Sequence, residues 1–202
     1  MSKAGYRYFI IHKPYDMLSQ FVGPEDAPKL CDVDFDFPGD IHAVGRLDKH
    51  SEGLLILTTN KKITRLLFQG EKAHKRTYLV KVKDVVTEEE LERLRSGVTI
   101  RIKGGVDYRT DPCEAEIVQK PANIMPRAFD LNENVPHTWL LITLTQGKYH
   151  QVRKMVSGIR HRCQRLIRIS IDGLQLGDLQ PACLRELEEK AFFESLSIPL
   201  EG

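Results

Sequence analysis

The sequence predicts an α+β fold, built on a mixed, largely antiparallel sheet with a few flanking helices. Apolar runs of strand length recur along the chain, and they are separated by breaks rich in Gly and Pro. Helical patterns are short and do not alternate regularly with the strands, so we do not expect a doubly wound parallel sheet. The 202 residues are enough to bury a core, and they fit one domain or two tightly joined halves. We predict a single domain over 1–202 that is built in two halves.

The first part of the chain predicts two long strands around a polar loop. The strand over 7–12 ends at Lys13-Pro14, because proline cannot donate to a strand ladder. Residues 23–40 are interrupted by Pro and Gly, which is typical of a loop. Apolar segments then follow at 41–44 and 54–58, and Asn60 is the expected N-cap of a helix over 61–68.

The middle of the chain predicts strands around one well-capped helix. Thr87 and Glu90 have the spacing of a capping box, which opens a helix that runs to Arg95 and ends before Gly97. Strands are expected over 76–83, 99–103, 106–109 and 113–119, and an irregular segment over 121–136.

The last part of the chain alternates between strands and helices. The segment over 138–145 is the strongest strand in the sequence. It is followed by a helix over 150–157, a strand over 166–171, a turn within 173–177, a strand over 181–187 and a helix over 188–196.

Charge is distributed unevenly along the chain. The 38 residues over 134–171 contain seven Lys and Arg side chains and no Asp or Glu, although the net charge of the whole chain is only +2. The other residues therefore sum to −5, the total of +2 minus +7. A one-sided distribution of this kind favours a polyanionic partner such as nucleic acid over a solvated basic face.

Cysteine usage and hydropathy indicate a cytoplasmic protein. The four cysteines are far apart and form no Cys-x-x-Cys pair, so neither a zinc site nor a disulfide framework is expected. Reduced thiols are typical of the cytoplasm. No apolar run approaches the roughly 20 residues that span a bilayer, and no signal-peptide cleavage pattern follows the N-terminus.

The polar loop over 45–53 carries the strongest chemical signal, because it places Asp48 between two apolar strands. Taken alone, Asp48 would be a turn or capping residue. However, residues 45–55 read Gly-Arg-Leu-Asp-x-x-Ser-x-Gly-Leu-Leu, which resembles the catalytic motif of the pseudouridine synthases, in the branch that modifies ribosomal RNA. Four further motifs of that family follow the same order: Lys13-Pro14, Arg76-Thr77-Tyr78, residues 147–155 and Leu166-Ile167-Arg168.

The resemblance covers nearly the whole chain, with two departures. The Lys-Pro motif begins at Lys13, so we expect no separate N-terminal RNA-binding module. Near the C-terminus, Ala182 stands where the family usually has Gly. The strand over 138–145 after Pro136 is most similar to the subgroup that acts on large-subunit ribosomal RNA.

The resemblance implies roles for individual residues. Asp48 is the expected catalytic carboxylate, which acts when ionised. Arg153 matches the basic residue that would hold it ionised, and Tyr78 would pack against the target uracil. Arg46 would fill the space left by a flipped-out uridine. Phosphate contacts are expected from Lys148, Lys154, Arg165 and Arg168; for Arg168 a structural salt bridge is an equally good interpretation.

The resemblance also implies the nature of the reaction. Moving the uracil attachment from N1 to C5 is redox-neutral, so no cofactor or metal is expected. The partner would be ribosomal RNA, with no membrane and no protein partner, and the protein would be a monomer. Asp48 could attack carbon directly or remove a sugar proton to form a glycal, and the sequence leaves both routes open.

Two other functions fit parts of the sequence. A non-catalytic RNA-binding protein, such as a ribosome assembly factor, would keep the basic stretch without needing Asp48, Tyr78 and Arg153 together. A metal-dependent hydrolase would instead use the histidines, whose spacing matches no known ligand pattern. Those histidines are His42, His50, His74 and His150.

Overall fold

The structure is a computed structural model that describes residues 5–70, 72–122, 124 and 134–200. The chain divides into two compact units, of which the first contains Met1–Arg76 and Arg168–Gly202 and the second contains Thr77–Ile167. The irregular segment predicted over 121–136 lies mostly outside the described residues. None of the described helices is long and apolar enough to cross a membrane.

The described residues form eleven strands and four α-helices. The strands are β1 (Tyr8–Lys13), β2 (His42–Val44), β3 (Glu52–Thr58), β4 (Arg76–Lys83), β5 (Thr99–Arg101), β6 (Asp107–Arg109), β7 (Glu114–Val118), β8 (His137–Leu144), β9 (Cys163–Ile171), β10 (Leu174–Gln175) and β11 (Leu184–Leu187). The helices are α1 (Lys62–Gln69), α2 (Glu88–Arg95), α3 (Gln151–Gly158) and α4 (Glu189–Leu196). Every predicted strand and helix is present, with small differences at the ends.

In the first unit, the strand order is β11-β1-β3-β9, and β2 also pairs with β3. The pairs β1–β11, β1–β3 and β2–β3 are antiparallel, as predicted. Every residue of β1 and β3 is buried, which explains why both read as continuous apolar runs rather than alternating ones. Helix α4 packs on β1 through aromatic rings, since Phe192 stacks on Tyr8 with 4.5 Å between ring centroids.

The boundary between the units falls within β9, whose residues before Arg168 belong to the second unit. There the strand order is β9-β4-β8-β7, while β5 and β6 form a separate antiparallel pair. The pair β7–β8 is also antiparallel. Helices α2 and α3 pack on this unit's apolar core, to which they contribute Leu91, Leu94, Val152, Met155 and Val156. The predicted capping box is confirmed: Thr87 and Glu90 each accept a hydrogen bond from the other's backbone N–H through their side chains.

The ends of three elements differ from their predicted positions. Strand β9 begins at Cys163, three residues before the predicted start. Strand β11 begins only at Leu184, because Ala182 has a φ of 65° and belongs to a turn. The N–H of Ala182 donates to the carbonyl oxygen of His12. The residue that flanks α1 is Lys61 rather than Asn60, but Asn60 Oδ1 still accepts a hydrogen bond from the N–H of Lys62 at 3.1 Å.

Candidate active site

The loop that carries Asp48 connects the antiparallel strands β2 and β3 in the first unit. Asp48 is half-buried, while its neighbour Arg46 is exposed. The N–H of Ser51 donates to the carbonyl oxygen of Asp48 at 2.9 Å, which closes a turn just before β3 begins. The carboxylate is therefore carried on a short connection between two strands of the sheet, where its backbone has little freedom.

Ser19 fixes the residue before Asp48. Its Oγ donates to the carbonyl oxygen of Leu47 at 2.7 Å and accepts from the N–H of Leu47 at 3.0 Å. Ser19 and Leu47 are both buried, so water does not compete strongly for these hydrogen bonds. A single hydroxyl thus satisfies both polar groups of the Leu47 backbone.

Lys13 fixes the residue after Asp48. Its side chain is fully buried, and Nζ donates to the carbonyl oxygens of Pro14 and Met17, each at 2.8 Å, and of Lys49 at 3.3 Å. Burial lowers the pKa of Lys13 to about 7, although the carboxylates of Glu52, Asp48 and Asp16 act to raise it. Lys13 of the Lys-Pro motif therefore anchors the loop that carries Asp48.

Two glycines at the ends of this loop are required by the space around them. Gly45 has a φ of 72°, and a Cβ there would lie 2.7 Å from the ring of Phe68. Gly53 has a φ of 104°, and a Cβ there would lie 2.2 Å from the carbonyl oxygen of Arg168 on the neighbouring strand β9. Neither position tolerates a side chain without movement of the backbone or of the packed ring.

Tyr78 and Arg153, the other predicted catalytic residues, belong to the second unit. Tyr78 lies on β4, is half-buried and packs against the apolar core of that unit. Arg153 lies on α3, is half-buried and has its Nη1 3.6 Å from the sulfur of Cys163. Their meeting with Asp48 around one pocket stays a prediction.

Two predicted phosphate-binding lysines lie beside aromatic rings at the start of α3. Lys148 is exposed, and its Nζ lies 5.0 Å from the ring centroid of Tyr108. Lys154 is half-buried, and its Nζ lies 5.2 Å from the ring centroid of Tyr149, which is 66% exposed. This pairing of cations with exposed aromatic surface suits contact with single-stranded nucleic acid.

Arg165 and Arg168, the other two predicted phosphate contacts, are buried instead. Only 3% of Arg165 and 5% of Arg168 is exposed. The Nε of Arg168 donates to the carbonyl oxygen of Leu54 at 2.8 Å, on the neighbouring strand β3. Burial of this extent removes these guanidinium groups from the surface that an RNA backbone would follow, which favours the structural interpretation of Arg168.

The histidines considered for a metal site have other surroundings. His74 Nδ1 lies 2.5 Å from Asp172, His50 lies 3.5 Å from Asp16, and the ring of His150 stacks on Tyr149. Across the described ranges, no group of three or more His, Cys, Asp or Glu side chains is placed to hold a metal ion.

Ser19 is a site residue that sequence reasoning missed. It lies in a segment without periodicity, 28 residues before the backbone that it holds, so no local pattern could link it to Leu47. Lys13 was singled out only through its motif, and its contact with Lys49 likewise depends on the fold.

The fold and motifs define an RNA-modifying isomerase, and comparison with known proteins identifies its family. The family model described as RNA pseudouridylate synthase matches residues 7–158. The chain belongs to this family, whose members convert uridine to pseudouridine in RNA, and the predicted family and enzyme class are confirmed.

Individual relatives agree with this assignment. The chain is 37% identical over 185 residues to the ribosomal large subunit pseudouridine synthase E of Vibrio parahaemolyticus, covering 90% of this chain and 74% of that protein. It is 33% identical over 174 residues to the protein of the same name in Xanthomonas axonopodis, covering 85% and 89%. A crystal structure of a pseudouridylate synthase superposes with a TM-score of 0.76 at 25% identity, covering 95% of this chain and 74% of the other.

Proposed function

We propose that this enzyme isomerises one uridine of large-subunit ribosomal RNA, with Asp48 as its catalytic carboxylate. Two relatives with more than 30% identity carry the name of a ribosomal large subunit pseudouridine synthase, which supports this substrate. The cations over 134–171 that are not buried, among them Lys148, Lys154, Arg160 and Arg162, supply positive charge for an RNA partner in a stretch without carboxylates.

The observation that carries the role of Asp48 is that its backbone is held on both sides. Ser19 binds both polar groups of Leu47, and Lys13 binds the carbonyl of Lys49. A group that must reach a reacting atom within a fraction of an ångström benefits from such rigid support, because a displacement of about 1 Å can cost about 100-fold in rate. A solvated turn aspartate has no such need.

Tyr78 and Arg153 complete the proposed chemistry. Tyr78 packs against the uracil ring and takes the C5 proton late in the reaction, and its place on a core strand gives the ring a firm support. Arg153 favours the ionised form of Asp48, which is the form that acts as nucleophile or base. Neither role involves oxidation or reduction of the substrate.

Two chemical routes use the same carboxylate. In the first, Asp48 attacks C1′ and displaces N1, and C5 then attacks C1′ and displaces the carboxylate, which frees Asp48. In the second, Asp48 removes the C2′ proton as the bond between C1′ and N1 breaks, which gives a glycal; C5 then adds to C1′ and the proton returns to C2′. Both routes require the uridine to leave its stack, at a cost of a few kcal/mol, and Arg46, which is exposed beside Asp48, fills the space that it leaves.

Lys148 and Lys154 contact RNA phosphates in this proposal, and the buried Arg165 and Arg168 support the fold instead. We further infer that the enzyme works as a monomer in the cytoplasm. All four cysteines are free, as suits a reducing compartment.

The decisive experiment maps pseudouridines in ribosomal RNA from cells that lack this protein. We expect one site in large-subunit RNA to be lost, restored by the wild type and not restored by Asp48→Asn. Asp26→Asn, an equal change at an exposed loop carboxylate, is the matched control and should restore the site. Restoration by Asp48→Asn would remove Asp48 from the mechanism, and an unchanged large-subunit RNA would remove the proposed substrate.

A second experiment separates catalysis from binding. RNA that contains 5-fluorouridine should form a stable or hydrated adduct with the wild type and not with Asp48→Ala. If both proteins bind this RNA and neither changes it, a non-catalytic RNA-binding role is correct instead.

A further inference from the structure

A surface cavity of about 420 Å³ lies in the second unit, where α3 ends and β9 begins. Its lining contains three arginines and no carboxylate. The lining residues are Arg153, Ser157, Arg160, His161, Arg162 and Cys163. Such a cavity has the charge and the hydrogen-bond donors to hold an anion.

The backbone that carries two of these arginines is well fixed. Arg160 has a φ of 71°, and its N–H donates to the carbonyl oxygen of Ser157 at 2.9 Å. The carbonyl oxygen of Arg162 accepts from the N–H of Lys83 at 3.0 Å. This turn therefore presents both guanidinium groups from a rigid base, which lowers the entropy lost on binding a ligand.

His161, between these arginines, is part of the wall rather than a ligand-binding group. Its Nδ1 lies 2.8 Å from the carbonyl oxygen of Lys83, and its Nε2 lies 3.2 Å from the carboxylate of Glu90. Since both ring nitrogens are engaged and the residue is buried, the anion-binding capacity comes from the arginines.

Among the described residues, no side chain pairs with the charges of Arg160 and Arg162. Both residues are exposed, and in the part of the chain that the structure describes their side chains form no hydrogen bond or ion pair. Arg101, in the same unit, shows the usual arrangement, with Asp107 at 3.4 Å. Like charges gathered around one cavity repel each other, and an anionic ligand reverses that cost.

We propose that this cavity binds a phosphate of the RNA backbone through Arg160 and Arg162. The inference rests on the proposed function for the identity of the RNA. Arginine suits the task because its planar fork donates two parallel hydrogen bonds to one phosphate. The site would explain why arginines accumulate just after α3, beyond the motif that contains Arg153.

The competing explanation is that both arginines only stabilise the C-terminal end of α3 through its dipole. The two explanations differ in salt dependence. A phosphate contact adds to the slope of RNA affinity against salt concentration, whereas a helix-end charge changes the stability of the free protein alone.

The test compares Arg160→Gln and Arg162→Gln with Arg93→Gln, which removes an equal charge from an exposed site beside Glu89 and Glu92 on α2. Binding of an unmodified transcript of large-subunit ribosomal RNA is measured by fluorescence anisotropy between about 50 and 200 mM salt. We expect each cavity variant to weaken binding about three- to tenfold at the low-salt end and to reduce the log–log salt slope by about 0.7 to 0.9. Arg93→Gln should match the wild type, and Arg162→Lys should keep the slope.

Several results would overturn the inference. One is a salt slope in the cavity variants equal to that of Arg93→Gln, and another is a loss confined to thermal stability. Inorganic phosphate provides the third arm, at constant ionic strength. If it stabilises the wild type but not Arg162→Gln while RNA binding is unchanged, the cavity binds a small phosphorylated molecule rather than RNA. Pseudouridine formation by the wild type is measured separately, so failure of the proposed function and failure of this site are distinguishable.

Discussion

The hydroxyl of Ser19 lies 2.7 Å from the carbonyl oxygen of Leu47 and 3.0 Å from its backbone nitrogen. This double hydrogen bond links a loop after β1 to the residue directly before Asp48. Both residues are buried, so removal of the hydroxyl leaves a donor and an acceptor without a partner. The position of Asp48 therefore depends on a residue far from it in the sequence.

We predict that Ser19→Ala reduces kcat by about 10- to 100-fold, because the loop shifts when both hydrogen bonds are lost. The free energy of unfolding should fall by about 2 kcal/mol, since a buried donor and acceptor lose their partner. Affinity for RNA should change little. Single-turnover kinetics, denaturant unfolding and RNA binding measure these three quantities.

Ser96→Ala is the matched control for this substitution. The hydroxyl of Ser96 also donates to a backbone carbonyl, that of Arg93 at 3.1 Å, but at an exposed helix end. It should leave kcat unchanged. Equal kinetics for the two variants would show that Ser19 does not position Asp48.

Because Lys13 is buried, we expect the free energy of unfolding to depend unusually on pH. Burial lowers the pKa of Lys13 to about 7 in the folded protein, against 10.5 for the unfolded chain. Between these values the unfolded chain binds more protons than the folded one, so stability rises with pH by up to about 1.4 kcal/mol per pH unit. Below about pH 7 Lys13 is protonated in both states, and the cost of burying its charge lowers the unfolding free energy by its full amount. Above about pH 10.5 Lys13 is neutral in both states, and this cost is absent.

The substitution Lys13→Met should remove this contribution. Unfolding by denaturant is measured for both proteins at several values between about pH 7 and 10. The difference in unfolding free energy, wild type minus variant, should increase steadily as the pH rises. Parallel curves would show that Lys13 keeps its ordinary pKa in the folded protein.

The sequence was sufficient to predict most of the fold. Period and apolar content located the strands β4 and β8 closely, and the capping box placed the start of α2 because its two side chains lie within four residues of each other. The start of β9 was missed because residues such as Gln164 and Arg165 are polar, although β9 has a neighbouring strand on each side. Local composition cannot reveal a polar strand whose neighbours are set by the fold.

The candidate site was predictable only where a motif spans it. Asp48 and Lys13 were found by resemblance to a family motif. The hydrogen bonds from Ser19 to Leu47 and the cavity around Arg160 instead arise from contacts between distant segments. Burial was equally hidden: Arg168 reads as a surface cation in a basic stretch, yet it is almost wholly covered. The residue type gives the charge of a side chain directly, whereas its exposure depends on how the chain packs.

Gly53→Ala tests the close approach of β3 and β9. A Cβ at Gly53 would lie 2.2 Å from the carbonyl oxygen of Arg168, and its φ of 104° adds backbone strain. We expect a loss of about 4 kcal/mol in unfolding free energy, from overpacking and strain together. Gly104→Ala controls for the strain alone, because Gly104 has a φ of 85° with nothing within 4 Å, and it should cost about 1 kcal/mol. Equal losses would show that the collision is relieved by movement.

Glu90 links stability at acidic pH to the turn that carries the arginine cavity. The N–H of Thr87, and next the side chain of His161, hold the pKa of Glu90 at about 2, below its ordinary 4.5. Because the folded pKa is depressed, this stabilisation is present above about pH 4.5 and is lost as the pH falls through about 2. Glu90→Gln should therefore cost about 1 kcal/mol near neutral pH and almost nothing at pH 2.

Glu89→Gln is the control for Glu90→Gln, because it removes a charge near the start of α2 without removing a side-chain hydrogen bond to Thr87 or His161. Glu89 lies in the same first turn and is exposed. Glu89→Gln changes the helix dipole interaction equally but disturbs neither Thr87 nor His161, so its cost should be a few tenths of a kcal/mol. Thermal unfolding between about pH 2 and 7 gives both profiles. Two superimposable profiles would mean that Glu90 acts only through the helix dipole. The contact between its carboxylate and His161 would then not stabilise the wall of the cavity.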